Sequence, residues 1–239
     1  MTFSGKVLGM TAAALLFGLA AAGAAEAKEY KVGGMYTLDY HDGRHADWGE
    51  YELEGAYMAL EDINSSGMLG KDTLSMPPEL VVNYLCWPEG AAEKARGLLE
   101  KDIVALTGVD CSGPAVLIAR EAEKYKTPVV SVGANAASLS SPSEFPYYYR
   151  NVTPSTRYEG YLLEVARHYD IKEIALFHTT DAWGSGAAAV ILNEADKLGI
   201  NVRLSFGYSR NATVEEVQEK MEMVKKLGIK SIFITMPTP

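Results

Sequence analysis

Short apolar runs alternate along the chain with longer stretches in which apolar positions recur every three or four residues. The short runs predict strands, whereas the longer stretches predict amphipathic helices. Strands that alternate with helices of about 10–15 residues are typical of βαβ units and a parallel sheet. The predicted strands are Lys31–Tyr36, Leu80–Tyr84, Ile103–Leu106, Val129–Val132, Glu173–Phe177, Val202–Phe206 and Ser231–Thr235. The predicted helices are Gly49–Asn64, Gly90–Lys101, Pro114–Tyr125, Ser155–His168, Trp183–Leu198 and a sixth that begins after Thr213.

The first, fifth and sixth predicted helices each carry an apolar face that should point inward. The sixth helix opens with Thr213 and Glu216, which have the spacing of a capping box. The inward positions are Leu53, Ala56, Tyr57, Leu60 and Ile63 in the first helix, Ala188, Ile191, Leu192, Ala195 and Leu198 in the fifth, and Val214, Val217, Met221 and Val224 in the sixth.

The alternation of strands and helices is interrupted once, near the middle of the chain. Residues 134–146 are rich in Ser, Ala and Pro and have no period, which predicts a loop. A short extended segment, Tyr147–Asn151, leads to Thr153-Pro154-Ser155, where we expect the chain to pass from one lobe to the next. These features predict an α/β protein of two doubly wound parallel-sheet lobes, at 28–150 and 151–239. The second lobe has few strands, so we expect it to be incomplete.

The first 27 residues have the pattern of a signal peptide. Lys6 precedes an apolar stretch, Val7–Ala22, and Ala25-Glu26-Ala27 fits a small-x-small cleavage site. The stretch is short and alanine-rich for a membrane anchor, which is the alternative. No later segment reaches the ~18 apolar residues of a transmembrane helix. We therefore expect cleavage after Ala27 and an exported protein that is not membrane-embedded.

Charge and cysteine content narrow the possible partners and compartments. The 239 residues include 22 Lys+Arg and 31 Asp+Glu, giving a formal charge of -9. The sequence is acidic and has no cluster of Lys and Arg, so it lacks the basic patch that nucleic-acid binding requires. In an exported protein the even pair Cys86 and Cys111 suggests a disulfide, although two buried free thiols are the alternative.

Motifs that would indicate an enzyme are missing from the sequence. No G-x-G-x-x-G follows a predicted strand, and neither a phosphate-binding P-loop nor a G-x-S-x-G nucleophile elbow occurs. His41 and His45 share a loop with Asp42 and Asp47, but a solvated polar loop explains them better than a metal site does. The sequence therefore predicts no catalytic, metal or cofactor site.

Polar residues follow two predicted strands at their carboxyl ends, where ligands bind in open parallel sheets. The segment 107–113 leads into a helix, so the Ser112 hydroxyl and the helix N-terminus suit a carboxylate, although Ser112 could be only an N-cap. After the next strand, Gly133 and Asn135 allow unusual backbone angles and a close approach to a ligand.

Five motifs follow one another along the chain: Ala46-Asp47-Trp48-Gly49 with Gly55-Ala56 and Asp62-Ile63-Asn64; the pair Cys86 and Cys111 before Ser112; Ser131 to Asn135; Arg150 with Pro154-Ser155-Thr156; and Asp181 to Gly186. In this order they resemble the periplasmic leucine/isoleucine/valine-binding proteins, a family of type I periplasmic binding proteins. Together they cover nearly all of the chain after residue 27.

The resemblance implies a Cys86–Cys111 disulfide and a ligand held between closing lobes. It implies that the Ser112 hydroxyl donates a hydrogen bond to the ligand carboxylate and that the Gly133 carbonyl accepts one from the ligand ammonium. Asn135 stands where the family usually has threonine.

The remaining family positions surround the ligand side chain. The resemblance implies that Trp48 touches this side chain and that Trp183 closes over it from the second lobe, whereas Thr156 replaces a frequent aspartate. Compared with the family, the charged loop Asp39–His45 is expanded, and it lies near the expected entrance of the ligand site. We therefore expect it to influence which ligand binds. The lobe-2 carboxylate that neutralises the ammonium in the family would lie beyond Pro239.

These implications favour a periplasmic solute-binding protein that captures an amino acid, of branched-chain type, or an amide-like solute for an ABC importer and its permease. Neither catalysis nor a cofactor is expected. Three alternatives remain: a ligand-sensing receptor module of the same fold, an enzyme on a doubly wound fold, and a truncated remnant that binds nothing.

Overall fold

Parallel β-strands and helices alternate throughout the computed structural model, which describes residues 26–209 and 211–235. The predicted signal peptide lies almost entirely outside the described residues. The strands are β1 (Glu29–Tyr36), β2 (Thr73–Ser75), β3 (Val81–Asn83), β4 (Ala105–Gly108), β5 (Val129–Ser131), β6 (Tyr148–Arg150), β7 (Glu173–Thr179), β8 (Asn201–Tyr208) and β9 (Ile232–Thr235). The helices are α1 (Asp47–Ser65), α2 (Ala91–Leu99), α3 (Ser112–Tyr125), α4 (Ser155–His168), α5 (Ala182–Glu194) and α6 (Val214–Lys226).

The first sheet has the strand order β2-β1-β4-β5-β6, with every pair parallel. The strands β2 and β3 share one side of β1, since β2 pairs with Glu29–Lys31 and β3 with Gly34–Tyr36. On one face, α2 and α3 bury a core that includes Leu98, Leu106 and Ile118. On the other face, α1 packs against a smaller core around Tyr36.

The second sheet has the order β8-β7-β9 and is also parallel. Successive residues of β7 point to opposite faces, as strand geometry requires. Ile174 and Leu176 enter a core with α4 and α5, whereas Ala175 and Phe177 enter a core with α6. Helices therefore cover both faces of each sheet, and the predicted α/β class with two doubly wound parallel-sheet lobes is confirmed.

The connection between the sheets runs through residues 151–154, where β6 has ended and α4 has not begun. Here the N–H of Ser155 donates to the carbonyl of Asn135 at 2.8 Å, which holds the start of α4 against the first lobe. Within the described parts of the chain, no helix combines the length and apolar character needed to cross a bilayer.

Several local predictions were wrong. The strand β2 was not predicted, and α5 ends at Glu194 before a separate 3₁₀ turn, Asp196–Leu198. Three positions assigned to apolar faces are exposed, with Tyr57 at 39%, Leu192 at 48% and Val214 at 67%. Tyr57 and Leu192 each follow a better-buried residue, and one step along a helix turns the side chain by about 100° toward solvent. Val214 lies in the first turn of α6, beyond the contact with the sheet.

Candidate ligand-binding cleft

A cleft of about 550 Å³ lies between the two lobes, at the carboxyl ends of their strands. This is where open parallel sheets bind ligands. Most of the lining comes from the first lobe, and the second lobe contributes the last residue of β7, one residue of α5, the segment after β8 and one residue of α6. The cleft is lined by Tyr40, His41, Arg44, Trp48, Leu85, Cys86, Trp87, Asp110, Cys111, Ser112, Gly133, Asn135, Thr179, Trp183, Ser209, Ala212 and Val217.

A tight turn after β4 delivers the central part of the lining. Gly108 has a φ of +88°, and a Cβ there would lie 2.2 Å from the Met35 carbonyl oxygen, so only glycine fits. Val109 follows in the left-handed region, with a φ of 55°. The chain therefore reverses sharply and directs Asp110 and Ser112 into the cleft.

The Tyr84 hydroxyl fixes this turn from below. It accepts hydrogen bonds from the N–H groups of Asp110, at 3.0 Å, and Cys111, at 2.8 Å, and it donates to the Asp110 carboxylate. The Thr37 hydroxyl donates to the same carboxylate at 2.9 Å. This buried network ties together the ends of β1, β3 and β4, on which the cleft floor is built.

A disulfide joins Cys86 to Cys111, with the Cα atoms 5.5 Å apart. It links the loop after β3 to the start of α3, directly beside Ser112. The Asp110 carboxylate and the two sulfurs lie within 4.8 Å of one another. Both sulfurs are consumed by the disulfide, so this group offers no thiolate pair to a metal.

Ser112 is the first residue of α3 and is buried. Its side chain does not cap the helix, since Cys111 occupies the N-cap position and no side chain caps α3. The Ser112 Oγ instead accepts from the N–H of Ala136 at 3.1 Å. The hydroxyl proton can therefore be donated to a ligand at the helix N-terminus.

Gly133 and Asn135 form the adjoining wall after β5. A Cβ on Gly133 would lie 2.9 Å from the Asp110 carbonyl oxygen, so glycine permits the two segments to approach. Asn135 is half-buried and lines the cleft, while its backbone carbonyl accepts a hydrogen bond from the N–H of Ser155. The structure thus brings Ser112, Gly133 and Asn135 together.

Trp183 enters the cleft from the second lobe because only two residues separate the end of β7 from the start of α5. The Asp181 carboxylate caps this helix by accepting from the N–H of Gly184 at 2.9 Å and from the Thr179 hydroxyl at 2.9 Å. A Cβ on Gly184 would lie 2.2 Å from the Thr179 Oγ1. This close contact sets the position of Trp183, the second residue of the helix.

Thr156 lies outside the cleft, which corrects the expectation that it lines the site. It is the second residue of α4, is exposed, and borders a shallow depression together with Gly160 and Glu194. Its neighbour Ser155 is the residue that faces inward. The Ser155 hydroxyl is buried and has no hydrogen-bond partner within the described residues.

An aromatic wall extends the site beyond the residues that the sequence indicated. The Trp48 indole N–H donates to the Tyr40 hydroxyl at 2.7 Å, and the Arg44 guanidinium lies 5.2 Å from the centre of the Tyr40 ring. The His41 ring stacks on Trp87 with 3.9 Å between ring centres. The sequence predicted that the charged loop Asp39–His45 lies at this end of the site. It did not predict that Trp87, next to Cys86, lines the site.

Two acidic groups, Asp110 in the cleft lining and Glu52 on α1, have raised pKa values. Burial raises the pKa of Asp110 to about 6, partly offset by hydrogen bonds from Tyr84 and Thr37. Burial and the nearby Asp110 charge raise the pKa of Glu52, on α1, to about 8. The pair therefore holds a proton at a higher pH than two solvated carboxyl groups would.

Residues 51–238 match the family described as the receptor family ligand binding region. An amino acid binding protein of Pseudomonas aeruginosa is 26% identical over 187 residues, covering 74% of this chain and 48% of that protein. A leucine-, isoleucine-, valine-, threonine-, and alanine-binding protein of the same species is 22% identical over 190 residues, covering 79% and 49%. Subunit 1 of the gamma-aminobutyric acid type B receptor of Caenorhabditis elegans is 31% identical over 144 residues, covering 57% and 15%.

The chain spans about half the length of the amino-acid-binding relatives that it matches. The family match, by contrast, extends over most of the chain and includes strands β2 to β9, which belong to both sheets. The order of the motifs and the two parallel-sheet lobes agree with it. The chain belongs to the receptor family ligand-binding region, with the type I periplasmic binding proteins of the leucine/isoleucine/valine-binding kind.

Proposed function

We propose that the protein binds an amino acid in the cleft between its lobes and acts as an exported solute-binding protein for an ABC importer. The observation that carries this proposal is the position of the cleft, which both lobes line at the carboxyl ends of their strands. The names of the two Pseudomonas aeruginosa relatives support an amino acid as the ligand. No catalytic step is part of the proposal.

The main-chain end of the ligand fits the floor of the first lobe. The Ser112 hydroxyl and the N-terminus of α3 suit a carboxylate, because the helix dipole places positive potential there. The ligand ammonium would donate to the Gly133 carbonyl, and the Asn135 amide can either donate or accept. The Tyr84 network holds these groups in place before the ligand arrives, which lowers the entropy cost of binding.

Binding would be coupled to closure of the lobes. Ser112, Gly133 and Asn135 belong to the first lobe and Trp183 to the second, so a ligand that contacts all four would hold the lobes together. A ligand with more contacts in the closed form shifts the population toward it. The permease of the importer would then recognise the closed form.

Export to the periplasm is supported by the signal-peptide pattern of residues 1–27, with cleavage after Ala27. The Cys86–Cys111 disulfide fits an oxidising compartment of this kind.

A ligand-sensing module is the second candidate. Two receptors favour it, the gamma-aminobutyric acid type B receptor subunit and the glutamate receptor 3.7 of Arabidopsis thaliana, which is 26% identical over 199 residues. Both candidates require the same cleft and ligand chemistry. Reconstitution with a permease separates them, since only an importer component would stimulate ligand-dependent ATP hydrolysis.

A thermal-shift screen of the purified protein against amino acids, amides and urea tests the proposal. We expect one class of amino acid to raise the melting temperature, because a ligand that binds only the native state adds about 2.7 kcal/mol at 100 times its Kd. The variant Ser112→Ala should bind at least roughly tenfold more weakly, since it removes a hydrogen bond to a charged group.

The exposed Ser143, which lies outside the cleft lining, supplies the matched control. Ser143→Ala should bind like the wild type. If the protein melts cooperatively but no amino acid raises its melting temperature, the proposal is ruled out. If only an amide raises the melting temperature, the ligand is an amide and not an amino acid. Failure to unfold cooperatively would identify a remnant without a functional site.

A further inference from the structure

All three tryptophans of the chain line the cleft. Trp48 comes from the first turn of α1, Trp87 from the loop after β3, and Trp183 from the first turn of α5 in the other lobe. Each is half-buried, so part of each ring remains accessible. The packed cores are built without tryptophan, from Leu, Ile, Val, Ala, Met, Tyr and Phe.

The orientation of the aromatic wall on the first lobe is fixed by contacts within the protein. The Trp48 indole N–H is already bonded to the Tyr40 hydroxyl at 2.7 Å, so this ring offers the ligand its apolar surface. Trp87 is held by the His41 ring, stacked at 3.9 Å with an interplanar angle of 23°. The disulfide at Cys86 anchors the adjoining backbone. Such a wall is organised before a ligand binds.

Aromatic surroundings can attract either a second aromatic ring or a cation. The charge at this wall distinguishes the two. Arg44 lines the cleft and its guanidinium lies 5.2 Å from the Tyr40 ring centre, so a cation already occupies that ring face. Asp42 holds the guanidinium in place through a 2.9 Å ion pair. A cationic ligand group would therefore have to compete with Arg44 for the face of the Tyr40 ring.

We propose that the side chain of the bound amino acid is an aromatic ring, packed against Trp48 and Trp87 and covered by Trp183 on closure. This inference rests on the proposed function and narrows its ligand class. It departs from the branched-chain ligand that the family resemblance alone implies. A branched aliphatic side chain would bury less of each ring and would gain no ring–ring geometry.

Titration of phenylalanine, tyrosine and tryptophan against leucine, isoleucine, valine and alanine tests the inference by isothermal calorimetry. We expect the best aromatic amino acid to bind at least roughly tenfold more tightly than leucine, as two to three ring contacts would give. Leucine or valine binding as tightly as the aromatic amino acids would overturn the inference and leave the proposed function standing. No binding by any amino acid would overturn both.

The variant Trp87→Leu should lower the ratio of aromatic to leucine affinity by roughly tenfold. Alanine affinity should fall less than phenylalanine affinity, because alanine presents only a methyl group to the wall. His41→Ala, which removes the stacking partner but leaves the disulfide loop intact, should shift the ratio in the same direction and serves if Trp87→Leu does not fold. Tyr169→Leu is the control, because Tyr169 is 72% exposed and lies outside the cleft lining. An unchanged ratio in folded Trp87→Leu or His41→Ala would contradict the inference.

Discussion

At the scale of single residues, Glu52 and Asp110 make stability depend on pH. The pKa of Glu52 is raised from 4.5 to about 8, mainly by burial, and that of Asp110 from 3.8 to about 6. Between the ordinary and the raised values the folded protein binds more protons than the unfolded chain does. Under that condition the free energy of unfolding falls as pH rises.

We therefore expect a lower midpoint of urea unfolding at pH 8 than at pH 5.5. Glu52→Gln should flatten this dependence, because a neutral amide cannot lose the proton. Glu54→Gln is the matched control, since Glu54 lies two residues along α1 and is exposed. A Glu52→Gln protein whose midpoint keeps the wild-type pH dependence would show that the buried pair is not its source.

Individual residues of the site were predictable only where a local rule placed them. Ser112, Gly133 and Asn135 follow strands of a parallel sheet. The alternation of strands and helices along the sequence therefore predicts that they lie together at one edge of that sheet. Thr156 was misplaced because one step along α4 separates its exposed side chain from the buried Ser155. Tyr84 could not be found, since its role depends on three strand ends that are distant in sequence.

At the scale of elements, the junction between β7 and α5 decides where Trp183 stands. A Cβ on Gly184 would lie 2.2 Å from the Thr179 Oγ1 and 2.4 Å from the Thr179 carbonyl oxygen. The backbone atom cannot move without disturbing β7, so Gly184→Ala must push the helix away. We expect this variant to lose about 1–3 kcal/mol of stability, as overpacked sites do, and to bind ligand more weakly.

Gly160→Ala, in the interior of α4, is the matched comparison. Apart from its chain neighbours and the backbone of its own helix, no atom of the described residues lies within 4 Å of the Cβ that this substitution adds. Alanine is the better helix former, so the variant should gain about 0.5–1 kcal/mol in chemical denaturation. If the two variants had the same effect, steric contact at the junction would not be what positions α5.

The elements themselves followed from periodicity more reliably than their edges did. The helix α4 begins and ends as predicted, at Ser155 and His168, because its apolar positions and a preceding proline mark it clearly. The three-residue strand β2 lies in a polar stretch with too few apolar positions to be seen. It forms because β1 offers a free edge there, which is a tertiary effect.

At the scale of the whole molecule, the chain divides its site unequally between two lobes. The groups suited to the ligand main chain and the ordered aromatic wall belong to the first lobe, while Trp183 is the large aromatic contribution of the second. The first lobe alone should therefore retain weak binding. The second lobe should add affinity through closure. Alternation along the sequence could predict the two lobes, but not how closely they approach, since that distance depends on packing at 151–154.

Small-angle X-ray scattering with and without saturating ligand tests this division. The radius of gyration should fall when ligand binds, because closure brings the lobes together around it. Trp183→Ala should bind roughly tenfold more weakly and lose most of the compaction, since the contact that favours the closed form is gone. Leu192→Ala, which changes a 48% exposed side chain of the same helix, should behave like the wild type. Full compaction in the Trp183→Ala protein would mean that other second-lobe groups, such as Thr179 or Ser209, drive closure. If the wild-type protein bound ligand without any compaction, recognition would lie in the first lobe alone.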